Sequence, residues 1–247
     1  MDNTILCVKW GDKYDDSYVE KLKKQCEDNC SVPFNFYCIT DKVKEPYDVH
    51  LPTYWDKYYL KDRDFFWAYR KYYVFSLGDD PKIFPKIKGN RFLLLDLDVV
   101  IHQDLKYFFD LPMDKPWIVR GWWNDPDTVK RNFAKHKSTP INSSVIRWDR
   151  GQLTTIEKKI NKNAEVIFYT YPSADNYFNH HWYNVWDEDE GFFQGFPKGD
   201  IYSYYKGNVF PEDMQKNIIR PDLKIGLFNN SGYGEGEGDD KLHKIYA

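Results

Sequence analysis

Arg91-Phe92-Leu93-Leu94-Leu95-Asp96-Leu97-Asp98-Val99-Val100-Ile101 is the stretch on which the reading of this chain turns. It is apolar almost throughout, yet it carries two carboxylates two residues apart. Gly89-Asn90 precedes it and His102-Gln103-Asp104 follows it, so the pattern predicts one strand over 91–101, buried on both faces. Alternation along a strand turns Asp96 and Asp98 the same way, about 6–7 Å apart. Two carboxylates on one buried face repel each other and are costly to desolvate. They persist where one keeps a proton, where basic side chains pair with them, or where a cation sits between them. Ligands of open α/β sheets bind beyond the carboxyl ends of the strands. An Asp-x-Asp in that place is suited to holding a divalent metal against a diphosphate.

Working outward, Thr4 to Trp10 reads as a first strand broken by Gly11-Asp12-Lys13. Asp15 or Asp16 caps a helix running to about Glu27, with Tyr18, Val19 and Leu22 on one face. Phe34 to Thr40 is a second strand, Tyr47 to Leu51 a weaker third, and Phe65 to Leu77 a helix. Downstream, Asp104–Leu111 is a short helix and Trp117–Trp122 a strand. Asp125–Thr139 is a polar, basic loop, and Ile141–Trp148 is a strand. Helices follow over Gln152–Ile160 and Asp175–Trp186, then strands over Ile201–Tyr205 and Leu223–Phe228. The alternation predicts an α/β fold with a mainly parallel central sheet flanked by helices. No linker divides the chain, so 1–247 is one domain. Its halves lie at about 1–101 and 102–230, followed by a Gly-rich tail over about 231–247.

The totals set limits. With 247 residues, 30% charged and 42% hydrophobic, the composition is that of an ordinary globular chain. A net charge of −3 argues against a nucleic-acid groove. No apolar run reaches the ~20 residues of a membrane span. The N-terminus lacks the basic-then-apolar order of a signal peptide, so a cytoplasmic protein is expected. Cys7, Cys26, Cys30 and Cys38 form no Cys-x-x-Cys pair, which favours reduced thiols over zinc or disulfides. Aromatic residues reach 19%, with nine Trp and 20 Tyr, which suits sugar stacking or follows from compositional bias.

The order of motifs resembles GT-A-type glycosyltransferases of the group that includes glycogenin and the bacterial lipopolysaccharide galactosyltransferases. The resemblance rests on Val8 to Tyr14, Cys38-Ile39-Thr40-Asp41, Trp67 with Lys71, and Asp96-Leu97-Asp98. It continues through Asn142-Ser143-Ser144-Val145, Asp175-Asn176, Phe196-Pro197-Lys198-Gly199 and Ser203-Tyr204. Two positions depart from the family pattern. Phe228-Asn229-Asn230 stands where Phe-His-Gly is usual, and Asp175-Asn176 stands where Asp-Gln is usual. The resemblance implies a Rossmann-like nucleotide-diphospho-sugar transferase fold and transfer of a hexose from a UDP-sugar to a carbohydrate or glycoconjugate acceptor. It also implies retention of configuration and Mn²⁺ or Mg²⁺ dependence.

The resemblance assigns Asp96, Asp98 and Asn229 to the metal, with Asp96 also facing the ribose. It assigns Val8, Lys9, Trp10, Gly11, Tyr14, Lys71, Leu97 and Ser143 to the donor nucleotide-sugar. Asp175, Asn176 and Asn142 are its candidates at the reaction centre. The residues themselves allow plainer roles. Tyr14 stacks on a base or lies on a surface turn, Lys71 meets phosphate or solvent, and Asn142 and Ser143 orient sugar hydroxyls or form a strand-end turn. Asp175 stabilises positive charge at the anomeric carbon or caps a helix. Trp122, Trp123, His180, His181 and Trp182 line an acceptor site or pack. Two other classes compete: a sugar- or nucleotide-binding protein without catalysis, and a haloacid-dehalogenase-like phosphatase with Asp96 as nucleophile.

Overall fold

The computed structural model describes residues 2–58, 64–77 (64–68 as backbone), 82–123, 139–171, 173–187, 189–204 and 218–228. Asn229, Asn230, Tyr205, Pro81, the Trp67 side chain, most of the 125–139 loop and the Gly-rich tail lie outside them.

The strands are β1 Asn3–Lys9, β2 Phe34–Thr40, β3 Asp48–His50, β4 Arg91–Leu95 and β5 Val99–Ile101. They continue with β6 Trp117–Arg120, β7 Ile141–Asp149, β8 Gln194–Gly195, β9 Ile201–Ser203 and β10 Ile225–Leu227. The helices are α1 Asp16–Asp28, α2 Lys106–Asp110, α3 Thr154–Thr170 and α4 Ala174–His181, with 3₁₀ segments at Asp56–Tyr58 and Asp64–Ser76. A seven-stranded sheet has the order β3-β2-β1-β4-β7-β6-β8, and β5-β10-β9 forms a second, smaller sheet. The large sheet is mixed: β1 runs parallel to β2 and β4, whereas β7 is antiparallel to both β4 and β6.

Strand alternation divides the apolar residues between two cores. Leu6, Val8, Ile39, Phe92, Leu94 and Trp148 face one; Ile5, Cys7, Cys38, Leu93, Leu95 and Val145 face the other. Both faces are covered, which is why these strands read as continuous apolar runs. Much of the aromatic content is spent in the first core, where Trp55 stacks on Tyr73 at 4.1 Å and Phe92 on Trp148 at 5.3 Å. The four cysteines are free thiols, three of them buried. Gly89 has φ +98°, and a Cβ there would meet Thr4 Oγ1 at 2.2 Å, so only glycine lets the chain enter β4 beside β1.

Several expected boundaries move. The 91–101 stretch is two strands, β4 and β5, in different sheets, joined by a turn at 96–98. Leu97 is buried in the second core while its carboxylate neighbours remain partly exposed, so the charges leave the ladder at a turn that Asp favours. The helix expected over 65–77 is a 3₁₀ helix. Its three-residue period aligns Tyr69, Tyr72 and Phe75, whose rings meet at 6.2 and 5.1 Å. α3 runs ten residues past Ile160, and α4 stops at His181, short of Trp186.

Candidate active site

The parallel strands β1, β2 and β4 end at Lys9, Thr40 and Leu95. β7, running the other way, begins at that same edge of the sheet. Its pairing with β6 slips there: Ile118 faces Ile146, and the next residue, Val119, faces Asn142. Residues 143–145 bulge away from β6, and bulges of this kind re-aim side chains. The bulge stays bound to the carboxylate turn, since Asp96 N–H donates to Ser144 O at 2.8 Å and Leu95 pairs with Val145. On its other side the turn is held by Phe228 N–H, which donates to Asp98 O at 3.1 Å.

Four sequence-distant residues meet here. Lys71, on the long 3₁₀ helix, places Nζ 3.0 and 3.1 Å from the two oxygens of Asp96 and 3.1 Å from Ser143 O. Its side chain is 9% exposed and that of Asp96 29%. Ser143 Oγ donates to Asp175 Oδ1 and accepts from the Tyr72 hydroxyl at 2.8 Å. Burial pushes the Asp175 carboxyl above its usual range; Lys71 and the Ser143 hydrogen bond oppose this, and Asp96 adds to it.

Asp175 is not the cap of its helix. Ser173 holds that place, accepting from Asn176 N at 3.3 Å, and Ser173 Oγ in turn donates to Asn176 Oδ1 at 2.6 Å. The Asp175 carboxylate is thereby released toward Ser143, while the Asn176 side chain serves the cap. Asn142 turns back on its own strand, its Oδ1 accepting from Ser144 N at 2.8 Å. Asn142 thus supports the local backbone, and Asn176 the capping serine.

In the first-strand loop, Val8 is packed in the first core with Trp10 lying partly buried against it. Gly11 has φ +62°, and its N–H donates to Asp41 Oδ2 at 3.0 Å. Lys9 is buried and meets Asp16 Oδ1 at 3.0 Å. Lys44 and Lys9 together hold the Asp16 carboxyl down to about 2. Tyr14 sends its hydroxyl to Asp98 Oδ2 at 3.1 Å and sets its ring edge-on to Tyr18 at 4.9 Å. The loop is thus tied to the carboxylate turn, a link invisible in sequence because the partners are 84 residues apart. A small cleft of about 50 Å³ opens beside Lys9, Asp16, Thr40 and Lys44.

The aromatic and histidine candidates do not converge. Trp123 packs in the second core and Trp182 in the first, Trp122 Nε1 donates to Phe196 O at 2.9 Å, and His181 Nε2 lies 2.7 Å from the Tyr171 hydroxyl. Among the described residues, no group of three or more His, Cys, Asp or Glu side chains is placed to hold a metal ion, and no helix is long and apolar enough to cross a membrane.

No family model matches the chain, and no curated protein matches it. Solved structures do. A glycosyltransferase involved in the glycosylation of the major capsid of PBCV-1 aligns at TM-score 0.57 and 18% identity, over 98% of each chain. The galactosyltransferase LgtC, solved with donor and acceptor sugar analogues, aligns at 0.55 and 11% identity, over 100% of this chain and 96% of its own. Mouse xyloside xylosyltransferase 1 aligns at 0.55 and 13% identity, over 93% and 98%. At such identities the likeness speaks for architecture, and the chain has the α/β fold of GT-A-like glycosyltransferases, with a mixed sheet.

Proposed function

We propose that this protein is a metal-dependent glycosyltransferase that moves a hexose from a nucleoside-diphosphate sugar, UDP as the nucleotide, to a carbohydrate or glycoconjugate hydroxyl with retention of configuration. The observation that carries this reading is the cluster of Lys71, Asp96, Ser143 and Asp175 at the carboxyl edge of the sheet. Two acids, Asp96 and Asp175, act on one buried ammonium, an arrangement that favours further positive charge. The whole chain serves as one domain, with the donor nucleotide over about 1–101 and the acceptor and reaction centre over about 102–230.

Asp96 and Asp98 supply carboxylate oxygens, the donor type that Mg²⁺ and Mn²⁺ prefer, and they are the residues that would hold the ion. Asn229 is the third candidate ligand; Phe228, just before it, is bonded to Asp98. When bound, a divalent ion stabilises the charge left on the departing diphosphate. Lys71 adds a fixed positive charge at the same place. As the bond from the anomeric carbon to the β-phosphate oxygen breaks, its electron pair leaves with the phosphate. The acceptor oxygen bonds to the same face of that carbon and gives its proton to a phosphate oxygen. Asp175 faces the sugar and stabilises the positive charge that develops on it. Tyr14, Gly11 and Lys9 border the nucleotide.

The test is a screen of UDP-glucose, UDP-galactose and other nucleotide sugars with Mn²⁺, following release of UDP, with the anomeric configuration of product assigned by NMR. Metal-dependent release with retention is expected; inversion, or no release from any donor, overturns the corresponding part of the reading. One observation favours a protein that binds nucleotide sugars without turning them over: the side chains of Asn142 and Asn176 are engaged locally, Asn142 by the Ser144 backbone N–H and Asn176 by the Ser173 hydroxyl. Metal-dependent UDP binding with no turnover would decide for it.

A further inference from the structure

Beside Lys71, Asp96, Ser143 and Asp175 the site holds a further buried hydroxyl, that of Tyr72. Tyr72 is fully buried, and its ring is fixed by Phe178 at 4.6 Å and Phe75 at 5.1 Å. Its hydroxyl lies 2.8 Å from Ser143 Oγ, which donates to Asp175. Lys71, the preceding residue, grips the carbonyl of the same serine at 3.1 Å. Adjacent side chains of one 3₁₀ helix therefore hold both polar ends of Ser143.

The direction of this chain follows from the groups themselves. A carboxylate only accepts, so Ser143 spends its one proton on Asp175. Ser143 Oγ is then an acceptor toward Tyr72, and the phenol must donate. Burial pushes the Tyr72 phenol well above its ordinary range, with Asp175 adding to it, so the phenol keeps its proton. Phe178 lies three residues after Asp175 on α4, so the ring of Tyr72 braces that helix while its hydroxyl, through Ser143, orients the carboxylate.

We infer that Tyr72 is a positioning residue: the relay from Tyr72 through Ser143 holds the Asp175 carboxylate in the one orientation that turnover of the donor sugar requires. This rests on the glycosyltransferase reading, and it concerns turnover rather than nucleotide binding.

The test compares Tyr72→Phe, which keeps the ring and removes one oxygen, with Ser143→Ala and the double variant. Hydrolysis of UDP-glucose and UDP-galactose and titration with UDP and Mn²⁺ are the measurements, with a crystal structure of Tyr72→Phe. For Tyr72→Phe, kcat should fall about 10- to 100-fold, as misplacement of a reacting group does, with KM and UDP affinity unchanged. The double variant should be no worse than the poorer single one, because the two residues act in series. In the crystal, the Asp175 carboxylate should leave its place against Ser143. Unchanged kcat in an active enzyme, a raised KM with kcat intact, additive losses, or an unmoved Asp175 each overturn the relay. A wild-type enzyme that turns over no nucleotide sugar overturns the parent reading instead, and the crystal structure then decides the relay alone.

Discussion

Two buried lysines stand at the same edge of the sheet, each 3.0 Å from a more exposed aspartate: Lys9 with Asp16 and Lys71 with Asp96. The pairs look alike and differ in what surrounds them. Asp16 is half exposed and receives a second ammonium from Lys44, so one carboxylate is shared by two cations at the start of α1. Lys71 stands the other way round, with Asp96 on its ammonium and Asp175 close enough to be pulled down by it. The first carries more base than acid and pins a helix to a strand. The second carries more acid than base, in a place where burial already raises the Asp175 carboxyl. That excess is what suits the Lys71 region to the cation and the developing positive charge of the proposed reaction.

The sharpest way to break this comparison is to neutralise the acid of each pair. Asp96→Asn should lower release of UDP from the active donor on the order of 10³-fold and abolish Mn²⁺-dependent UDP binding, since it removes preorganised charge at the leaving group. Asp16→Asn should leave turnover unchanged. Equal losses in the two variants would show that the pairs do not differ in kind.

Asp175 sharpens the same contrast through pH. Asp175→Asn should lower turnover about 10²-fold, while the folded protein gains. The folded carboxyl titrates above its unfolded value of about 3.9. Its contribution to stability is fully present below that value and is lost as pH rises through the folded pKa. At neutral pH the carboxyl is therefore a cost, which asparagine removes. Calorimetry at pH 7 should find Asp175→Asn melting at or above the wild type. The difference should vanish below about pH 4, where the wild-type group is protonated. A variant that is less stable at pH 7 and equal to wild type in acid would reverse the sign and refute the assignment.

These residues also show what can be read in a linear sequence. β1, β2, β6 and β7 are legible because apolar runs with turn residues at their ends suffice to mark them. Asp96, Ser143, Lys71 and Asp175 were candidates by motif order, and the fold brings them together from four separate segments. The break of 91–101 into two strands was hidden, because Leu97 is as apolar as its neighbours and only the buried position of its side chain reveals the turn. β8 is two residues long and carries no pattern. Nothing in the sequence separates Tyr72 from the other aromatics of the 65–77 segment; its contact depends on the bulge that turns Ser143 toward it. Asn142 and Asn176 match a motif, yet their side chains bond to near neighbours, the Ser144 backbone N–H and the Ser173 hydroxyl, which sequence order does not distinguish from a substrate. The N-cap of α4 fell to Ser173 although Asp175 has the same propensity, which leaves the acid for the site.

The smallest effect belongs to the Lys9–Asp16 pair, through the carboxylate that pins α1 to β1. Lys44 and Lys9 hold the Asp16 carboxyl at about 2, below its unfolded value. Its contribution to stability is therefore present above the unfolded value of about 3.9 and is lost as pH falls from there through about 2. The group is half exposed, so solvent and salt screen the interaction, and the expected contribution is no more than about 1 kcal/mol. Urea titrations of wild type and Asp16→Asn at pH 7 should differ by about that amount, and the gap should close as the pH approaches 2 and narrow at pH 7 in high salt. Lys9 is buried, and a fully desolvated ammonium that loses its carboxylate costs several kcal/mol. A gap of several kcal/mol that salt does not change would place the Lys9 pair beside the Lys71 pair as a desolvated charge cluster, and the contrast between the two regions would then rest on the number of acids alone.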